Sequence, residues 1–359
     1  MNKILTIVIP TYNMEKYLDK CLSSLIVSPA NMQQLEVLVI NDGSKDNSSK
    51  IGHSYEERYP GIFRVIDKEN GNYGSCVNRG LKEATGKYIK VLDADDSFDV
   101  EIFELYISYL QRLDADLIIS DYKVVDEKGQ TTETYTFPLP TDRLFNLGDL
   151  TIGTIRWLWH HGVTYRTEMV RGINYHQTEG ISYTDDEWIF CPMRKVKQVS
   201  YFPYFLYLYL RGREGQTFDP KVLKKAFHNR IIVGKKMLND YALHQSECSQ
   251  VIKNYLFTKL VEKLRVIYTF YLIKHASKDG LRLLKDLDSL VRDSAPDIYS
   301  SLGKIQNKAG WRYIDNWRVS GYKQRTAMLQ VLRFKFKLYS LMNMSGSSIK
   351  MPASLKRQS

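Results

Sequence analysis

The sequence predicts an α/β fold in which a mostly parallel, mixed sheet is flanked by helices and followed by a helical C-terminal region. Short apolar, β-branched runs alternate with amphipathic segments over the first 125 residues or so, which is typical of βαβ units. Each of these runs stops at a cluster of polar residues. From Pro220 the pattern becomes almost wholly helical to about residue 340. We therefore expect a sheet domain first and helices after it.

The elements follow in order along the chain. Apolar runs predict strands at 4–9, 35–40, 62–66, 88–92, 116–120 and 201–209. Helical periodicity predicts helices at 15–27, 73–84 and 98–113, with a polar helix ending near Tyr59. A hairpin is expected at 123–136. Gly86 is expected to end its helix as a C′ residue, and Asp99 or Ser97 to cap the next one.

Charge is distributed unevenly. Residues 301–359 hold 12 Lys and Arg against one acidic residue, a net charge of +11, so the first 300 residues are neutral overall. The sheet domain therefore gives no reason to expect nucleic acid, whereas the tail favours an anionic partner. Four scattered cysteines suit a reducing cytoplasm. We expect no signal peptide and no transmembrane helix.

Three carboxylates, Asp93, Asp95 and Asp96, follow the predicted strand at 88–92. Isolated carboxylates are costly to bury, so they are expected at the C-terminal edge of the sheet, where ligands bind in open α/β folds. Hard oxygen ligands there suit Mg²⁺ or Mn²⁺ together with substrate phosphates. The alternative is an acidic turn that caps the next helix.

Two other strand ends carry polar groups that could meet a nucleotide. Asp42 lies on a Gly turn and could accept hydrogen bonds from a base or a ribose, or cap the next helix with Ser44. Tyr12 could stack on a base or simply pack. The sequence contains neither GxGxxG after the first strand nor GxxxxGK[ST], which argues against a dinucleotide-binding Rossmann domain and a P-loop.

These segments resemble the motifs of family 2 glycosyltransferases with the GT-A fold. The resemblance is carried by residues 7–13, 39–44 and 92–96, and extends through Asn70-Gly71 and residues 77–80. It covers about the first third of the chain. It implies a GT-A catalytic domain over 1–219, with a nucleotide-sugar part (1–125) and an acceptor part (126–219), and a helical region at 220–359.

The resemblance also implies roles for individual residues. Pro10, Tyr12 and Asp42 would hold the base and ribose of the donor, and Asp95 its ribose or diphosphate. Asp96, with Asp95, would hold the divalent metal, with Asp93 in support. Asn78 and Arg79 could contact the sugar or diphosphate, although a polar helix face is an equal reading of Arg79.

The second half is expected to supply the catalytic base. Residues 183–190 place Asp185, Asp186 and Glu187 ahead of an aromatic helical turn, similar to the acidic pair of the family. The alignment favours Asp185 and leaves Asp186 open; an acidic helix N-terminus is the structural alternative. The loop at 211–217 resembles the family's basic loop near the diphosphate, where Arg211, Arg213 and Gln216 would bind.

The basic, apolar segment at 310–341 indicates a membrane-surface helix, or else a solvated helix packed on the enzyme. The sequence thus predicts an inverting, metal-dependent glycosyltransferase (hexosyltransferase type). It would move a sugar from a nucleotide diphosphate donor, with UDP-sugars as the first expectation, to a glycan or lipid-linked acceptor for cell-surface polysaccharide. We expect the protein in the cytoplasm, where it could bind peripherally to the inner face of the cell membrane. The alternatives are a sugar nucleotidyltransferase and a catalytically inactive protein of the GT-A fold that binds glycan or acts as a scaffold.

Overall fold

The computed structural model of the chain describes residues 3–149, 155, 158–213 and 220–344. Backbone contacts divide the chain into two compact units, Met1–Lys259 and Leu260–Ser359. The sequence places the boundary of the catalytic domain at residue 219, before the long helices begin. That functional boundary stays a prediction.

Ten strands of the described chain form one mixed sheet in the first unit. The strands are β1 (Leu5–Thr11), β2 (Leu35–Asn41), β3 (Phe63–Asp67), β4 (Tyr88–Val91), β5 (Ser97–Phe98), β6 (Leu117–Val125), β7 (Thr131–Tyr135), β8 (Phe145–Asn146), β9 (Val163–Arg166) and β10 (Gln198–Leu210). Their order is β3-β2-β1-β4-β9-β6-β10-β5, with β7 on β6 and β8 on β10.

The sheet has a parallel part and a mixed part. Strands β3, β2, β1 and β4 are parallel neighbours, and β6 is parallel to β10. β9 runs antiparallel to both β4 and β6 and joins the two parts. β1, β2 and β4 are buried at nearly every position, as expected for strands covered on both faces. The predicted fold class is confirmed.

The helices of the first unit lie between and after these strands. They are α1 (Leu18–Ser23), α2 (Pro29–Met32), α3 (Ser48–Arg58), α4 (Asn72–Glu83), α5 (Val100–Leu110), α6 (Thr167–Gly172), α7 (Asp185–Trp188) and α8 (Pro220–His244). α9 (Gln250–Thr269) starts in this unit and continues into the second. Asp99 caps α5 as predicted, because its carboxylate accepts a hydrogen bond from the Ile102 amide at 3.2 Å.

Gly86 has a different role from the predicted one. Helix α4 ends at Glu83 with Ala84 as its C-cap, and Gly86 is not among the glycines with positive φ. A Cβ atom at Gly86 would lie 2.5 Å from the Thr6 amide nitrogen. Glycine is needed there because the chain entering β4 passes very close to the backbone of β1.

The second unit is helical throughout its described part. After the end of α9 and a short π-helical turn (Phe270–Lys274), it contains α10 (Lys278–Ser294), α11 (Pro296–Lys304), α12 (Tyr313–Val319) and α13 (Ala327–Met344). No helix in the described residues is both long enough and apolar enough to span a bilayer.

A buried carboxylate holds the helices of the second unit together. Asp288 on α10 is fully buried and pairs with the Arg318 guanidinium of α12 at 2.7 and 2.9 Å. It also accepts hydrogen bonds from the hydroxyls of Tyr268 and Tyr322. Four segments of the unit therefore meet at one side chain.

We expect Asp288→Ala to lower the free energy of unfolding of this unit by about 3–5 kcal/mol, because it leaves the buried Arg318 charge without its partner. Denaturant unfolding measures this. Asp279→Ala is the matched control, since Asp279 is 85% exposed in an ion pair with Arg282 on the same helix. Its effect should stay within about 0.5 kcal/mol. Equal effects of the two substitutions would contradict the assigned role of Asp288.

Candidate active site

The C-terminal ends of β1, β2 and β4 form one rim of the sheet. These strands are parallel neighbours, so the segments that follow them emerge at the same edge. The segments carry Tyr12, Asp42 and the aspartates at 93, 95 and 96. Tyr12 is 46% exposed, so its ring is open to a ligand, whereas Asp42 is buried.

Asp93 is held by two side chains from other parts of the chain. One carboxylate oxygen accepts a hydrogen bond from the Tyr73 hydroxyl of α4 at 3.0 Å. The other lies 3.2 Å from Nε2 of His160, which precedes β9. Its amide donates to the Tyr207 hydroxyl of β10 at 3.1 Å. Residues distant in sequence thus fix the orientation of this carboxylate.

Asp95 and Asp96 face different surroundings. The Asp95 carboxylate lies 2.5 Å from Nε of Arg213, which comes shortly after the end of β10. Asp96 is turned inward: its oxygens accept hydrogen bonds from the Tyr207 hydroxyl at 2.6 Å and the Leu210 amide at 2.7 Å. The side chain of Asp93 is 25% exposed and that of Asp95 10%, whereas Asp96 as a residue is only 2% exposed. Asp93 and Asp95 therefore reach solvent, and Asp96 is sealed against β10.

The crowded carboxylates affect each other's protonation. Burial, followed by the charges of Asp95 and Asp93, raises the pKa of Asp96 well above its usual range. Burial and Asp93 also raise the pKa of Asp95, against the opposing effect of Arg213. For Asp93, burial acts upward, but His160, Tyr73 and Arg213 outweigh it and lower its pKa. Asp93 is therefore the most readily ionised of the three.

Asp185 lies at the start of helix α7, and its charge acts on two residues that hold Asp93. Burial is the main cause of the raised pKa of Tyr73, and the charges of Asp93 and Asp185 both add to it. The pKa of His160 is also raised: burial acts to lower it, but Asp93 and then Asp185 outweigh that effect. Asp185 thus shares its electrostatic neighbours with Asp93. The preceding Tyr183 has a φ of 66°, a left-handed conformation that is strained for an aromatic residue.

Hydrogen bonds join α4 to the segment that precedes Asp185. The Asn78 side-chain amide donates to the Gln177 carbonyl at 2.8 Å, and its oxygen accepts from the Gln177 amide at 2.7 Å. Gln177 is fully buried and donates to the Thr184 hydroxyl at 2.9 Å. On the far side, the buried Glu187 pairs with Lys236 at 2.8 Å. The start of α7 is therefore fixed from two directions.

Asp42 is held by its own neighbours. Its Oδ1 accepts hydrogen bonds from the Lys68 ammonium at 2.5 Å and the Gly71 amide at 2.9 Å. Lys68 also donates to the Ser75 hydroxyl at 2.9 Å. This arrangement links the ends of β2 and β3 to the start of α4.

Behind Asp93, two histidines and a lysine lie in an aromatic environment. His161 packs against His160 and stacks on Tyr209, with ring centroids 3.9 and 4.4 Å away. Burial, followed by the charges of His160 and Lys90, lowers the pKa of His161 well below its usual value, so its ring is neutral. Burial also lowers the pKa of Lys90 to about 7; its ammonium donates to the His161 carbonyl at 2.7 Å.

Residues 6–173 match the model of glycosyl transferase family 2. This part of the chain is therefore similar to glycosyl transferase family 2. The resemblance found in the sequence is thereby confirmed, and the match contains the strand-end aspartates and both histidines.

Similar glycosyltransferases are found in several bacteria. The glycosyltransferase YibD of Escherichia coli K12 is 32% identical over 214 residues, which are 57% of this chain and 60% of YibD. The glycosyltransferase EpsJ of Bacillus subtilis is 27% identical over 228 residues, 61% of this chain and 64% of EpsJ. The minor teichoic acid biosynthesis protein GgaB of B. subtilis is 30% identical over 128 residues, 36% of this chain and 14% of GgaB. The matched part therefore spans less than two thirds of each of these relatives.

Among solved structures, residues 1–349 of S. aureus TarS, crystallised with UDP-GlcNAc, share the fold. The TM-score is 0.59 at 18% sequence identity, over 90% of this chain and 93% of the TarS fragment. The likeness confirms the predicted GT-A fold. It extends through most of the chain, beyond the part matched by the family 2 model.

In the domain that matches the family 2 model, the structure brings together some of the predicted site residues. Asp93, Asp95, Asp96 and Arg213 form one cluster, and the charge of Asp185 acts on Tyr73, which bonds to Asp93. Gln216 lies outside the described residues. The other predicted residues lie elsewhere or are engaged otherwise: Pro10 and Tyr12 at the end of β1, Asp42 with Lys68, Asn78 with Gln177, Arg79 in an ion pair with Glu83, Arg211 in an ion pair with Glu133, and Asp186 beside Asp185 on α7.

The sequence does not assign Tyr73, Tyr207, Lys68 or His160 to the metal and donor site. No local motif marks these residues, because each reaches the site from a different element. The signal that could have pointed to His160 is its position directly before β9, the strand that pairs with β4.

Proposed function

We propose that the chain is an inverting glycosyltransferase. It would transfer a sugar from a nucleotide diphosphate donor, with UDP-sugars first to be tested, to a glycan or lipid-linked acceptor of the cell surface. The observation that carries this proposal is the cluster of Asp93, Asp95 and Arg213 in a domain that matches the family 2 model, with the charge of Asp185 acting on Tyr73 and His160, which hold Asp93. The teichoic acid role named for GgaB and the UDP-GlcNAc bound to TarS support the choice of acceptor class and donor.

The residues of the rim fit a divalent metal. Ligand atoms of Asp93, Asp95 and Asp96 lie within 4.8 Å of one another, and carboxylate oxygens suit Mg²⁺ or Mn²⁺. The sequence reasoning chose Asp96, with Asp95, to hold the ion. We now assign this role to Asp95 and Asp93, because these two reach solvent, and we give Asp96 the task of holding the end of β10. Once bound, the ion would supply Lewis-acid neutralisation of the departing diphosphate.

The chain's own groups then account for the remaining chemistry. The Asp185 carboxylate takes the proton of the acceptor hydroxyl while the oxygen of that hydroxyl attacks the anomeric carbon of the donor sugar. The bond from the anomeric carbon to the diphosphate oxygen breaks in the same step. Arg213 pairs with Asp95 and would donate hydrogen bonds to a phosphate oxygen of the bound diphosphate. Tyr12, exposed at the end of β1, offers its ring to the base.

Turnover of a donor tests the proposal. The protein is incubated with UDP-sugars and Mn²⁺, and both released UDP and the anomeric configuration of the product are measured. We expect EDTA to stop UDP release and an α-linked donor to give a β-configured product. Formation of a nucleotide sugar from a sugar phosphate and UTP would instead support the nucleotidyltransferase alternative.

We also propose that helix α13 binds an anionic membrane surface. Val331, Phe334, Leu338 and Leu341 are 40%, 68%, 49% and 56% exposed. Their spacing of three or four residues places them on one side of the helix. Residues 301–359 carry 12 basic residues and one acidic residue. An exposed apolar stripe within a cationic region suits the interface of a bilayer that contains anionic lipid.

We expect the double substitution Phe334→Ser and Leu338→Ser to reduce sedimentation with phosphatidylglycerol-containing vesicles, because it removes the apolar stripe. Point substitutions are preferable to truncation, since Tyr322 and Arg333 bond within the second unit. Leu243→Ser is the control, because Leu243 is 70% exposed on α8. Binding should fall with added salt and with phosphatidylcholine alone. Equal sedimentation of all three proteins would show that α13 does not bind the membrane.

A further inference from the structure

His161 is buried without any hydrogen-bonding partner for its side chain. The residue is only 7% exposed, and neither ring nitrogen has a hydrogen-bond partner among the described residues. A buried polar atom left without a hydrogen-bonding partner destabilises the folded state. Stacking on Tyr209 explains the orientation of the His161 ring, but a phenylalanine ring would stack equally well, so stacking does not explain the two ring nitrogens. The two nitrogens therefore call for a ligand.

The ring lies beside two other metal-ligating groups. One ligand atom each from Asp93, His160 and His161 lies within 4.8 Å of the others. Nε2 of His160 and Oδ2 of Asp93 are 3.2 Å apart. Two ligands of an ion with bonds of about 2.1 Å are separated by about that distance, so the pair already has the spacing of two ligands of one metal.

We propose that Asp93, His160 and His161 bind a borderline divalent transition metal of the Zn²⁺ or Co²⁺ class. Two imidazoles and one carboxylate favour such ions over Mg²⁺, which prefers oxygen ligands alone. The site shares Asp93 with the proposed donor-binding rim, but it uses histidines behind the rim instead of Asp95. It requires no nucleotide, so it does not depend on the proposed transferase activity.

The site also explains how Asp93 is oriented. His160 and Tyr73 hold its two oxygens from opposite elements, α4 and the segment before β9. An ion bound by His160 and His161 would join β9 to the end of β4 through Asp93. It would thereby fix the rim on which Asp95 and Arg213 lie.

Titration with Co²⁺ in the absence of nucleotide tests the proposal, because histidine ligation changes the visible absorption of the ion. We expect the wild-type protein to bind Co²⁺ in the presence of excess Mg²⁺, and Zn²⁺ to displace it. His161→Phe, which keeps the stacking ring, and His161→Gln should each weaken Co²⁺ binding by about 100-fold or more. His160→Phe should do the same.

Two controls separate this site from others. His176→Phe should leave Co²⁺ binding unchanged, because the His176 side chain is 68% exposed and lies in its own ion pair with Glu179. Asp95→Asn should also keep Co²⁺ binding, even where it removes nucleotide binding. Thermal unfolding shows that each variant is folded. Equal Co²⁺ affinity of wild type and both His161 variants would overturn the proposal, as would loss of binding in Asp95→Asn alone. A failure to bind nucleotides would leave the result of this titration unaffected.

Discussion

Asp185→Asn is expected to reduce donor-dependent transfer by about 10²- to 10⁴-fold, the range typical of a lost general base. The asparagine keeps the size and polarity of the side chain but cannot take a proton. Because the charge of Asp185 acts on Tyr73 and His160, the residues that hold Asp93, we propose Asp185 rather than Asp186 as the base. Rates of UDP release with acceptor, measured across pH, provide the test.

Asp186→Asn is the matched control, since the two residues are adjacent on α7. We expect it to transfer at close to the wild-type rate, and both variants to bind UDP as the wild type does. A larger loss of transfer rate in Asp186→Asn than in Asp185→Asn would identify Asp186 as the base. Wild-type activity in both variants would exclude α7 as the source of the base.

Asp95→Asn is expected to weaken Mn²⁺-dependent nucleotide binding by about 10- to 100-fold while the protein stays folded. In the proposed site this carboxylate holds the ion, and it pairs with Arg213 at 2.5 Å; charge-assisted contacts of this kind contribute about 1.5–3 kcal/mol each. Calorimetric titration with UDP, with and without Mn²⁺, separates the loss of metal dependence from a general loss of affinity.

Asp96→Ala should have the opposite balance of effects. It leaves the Tyr207 hydroxyl and the Leu210 amide without their acceptor, so we expect a loss of about 2–4 kcal/mol in stability. If Asp96→Ala abolishes the response to Mn²⁺ without lowering the melting temperature, the ion belongs to Asp96, as the sequence first indicated.

The sheet could be predicted because its pattern is local. Buried strands read as apolar runs, and the parallel order of β2, β1 and β4 follows from their alternation with helices. The rim of aspartates was then a consequence of where those strands end. Asp93, Asp95, Arg213 and Asp185 could all be proposed from the sequence, Arg213 and Asp185 through the resemblance to the family.

The connections between elements could not be predicted in this way. Which of three neighbouring aspartates faces solvent depends on Tyr207 and Leu210, which lie more than a hundred residues later. The pairing of Asn78 with Gln177 and that of Asp93 with His160 likewise join segments with no common pattern. Side-chain partners across a fold are set by tertiary packing, which a single sequence does not display.

Calorimetric titration of UDP, GDP, CDP and dTDP into the wild-type protein with Mn²⁺ tests the central claim most directly, because it needs no knowledge of the sugar or acceptor. We predict that at least one of these nucleotides binds, that EDTA abolishes the binding, and that Asp95→Asn weakens it. If none of the four binds in the presence of Mn²⁺, the rim formed by Asp93, Asp95 and Arg213 is not a nucleotide-sugar site.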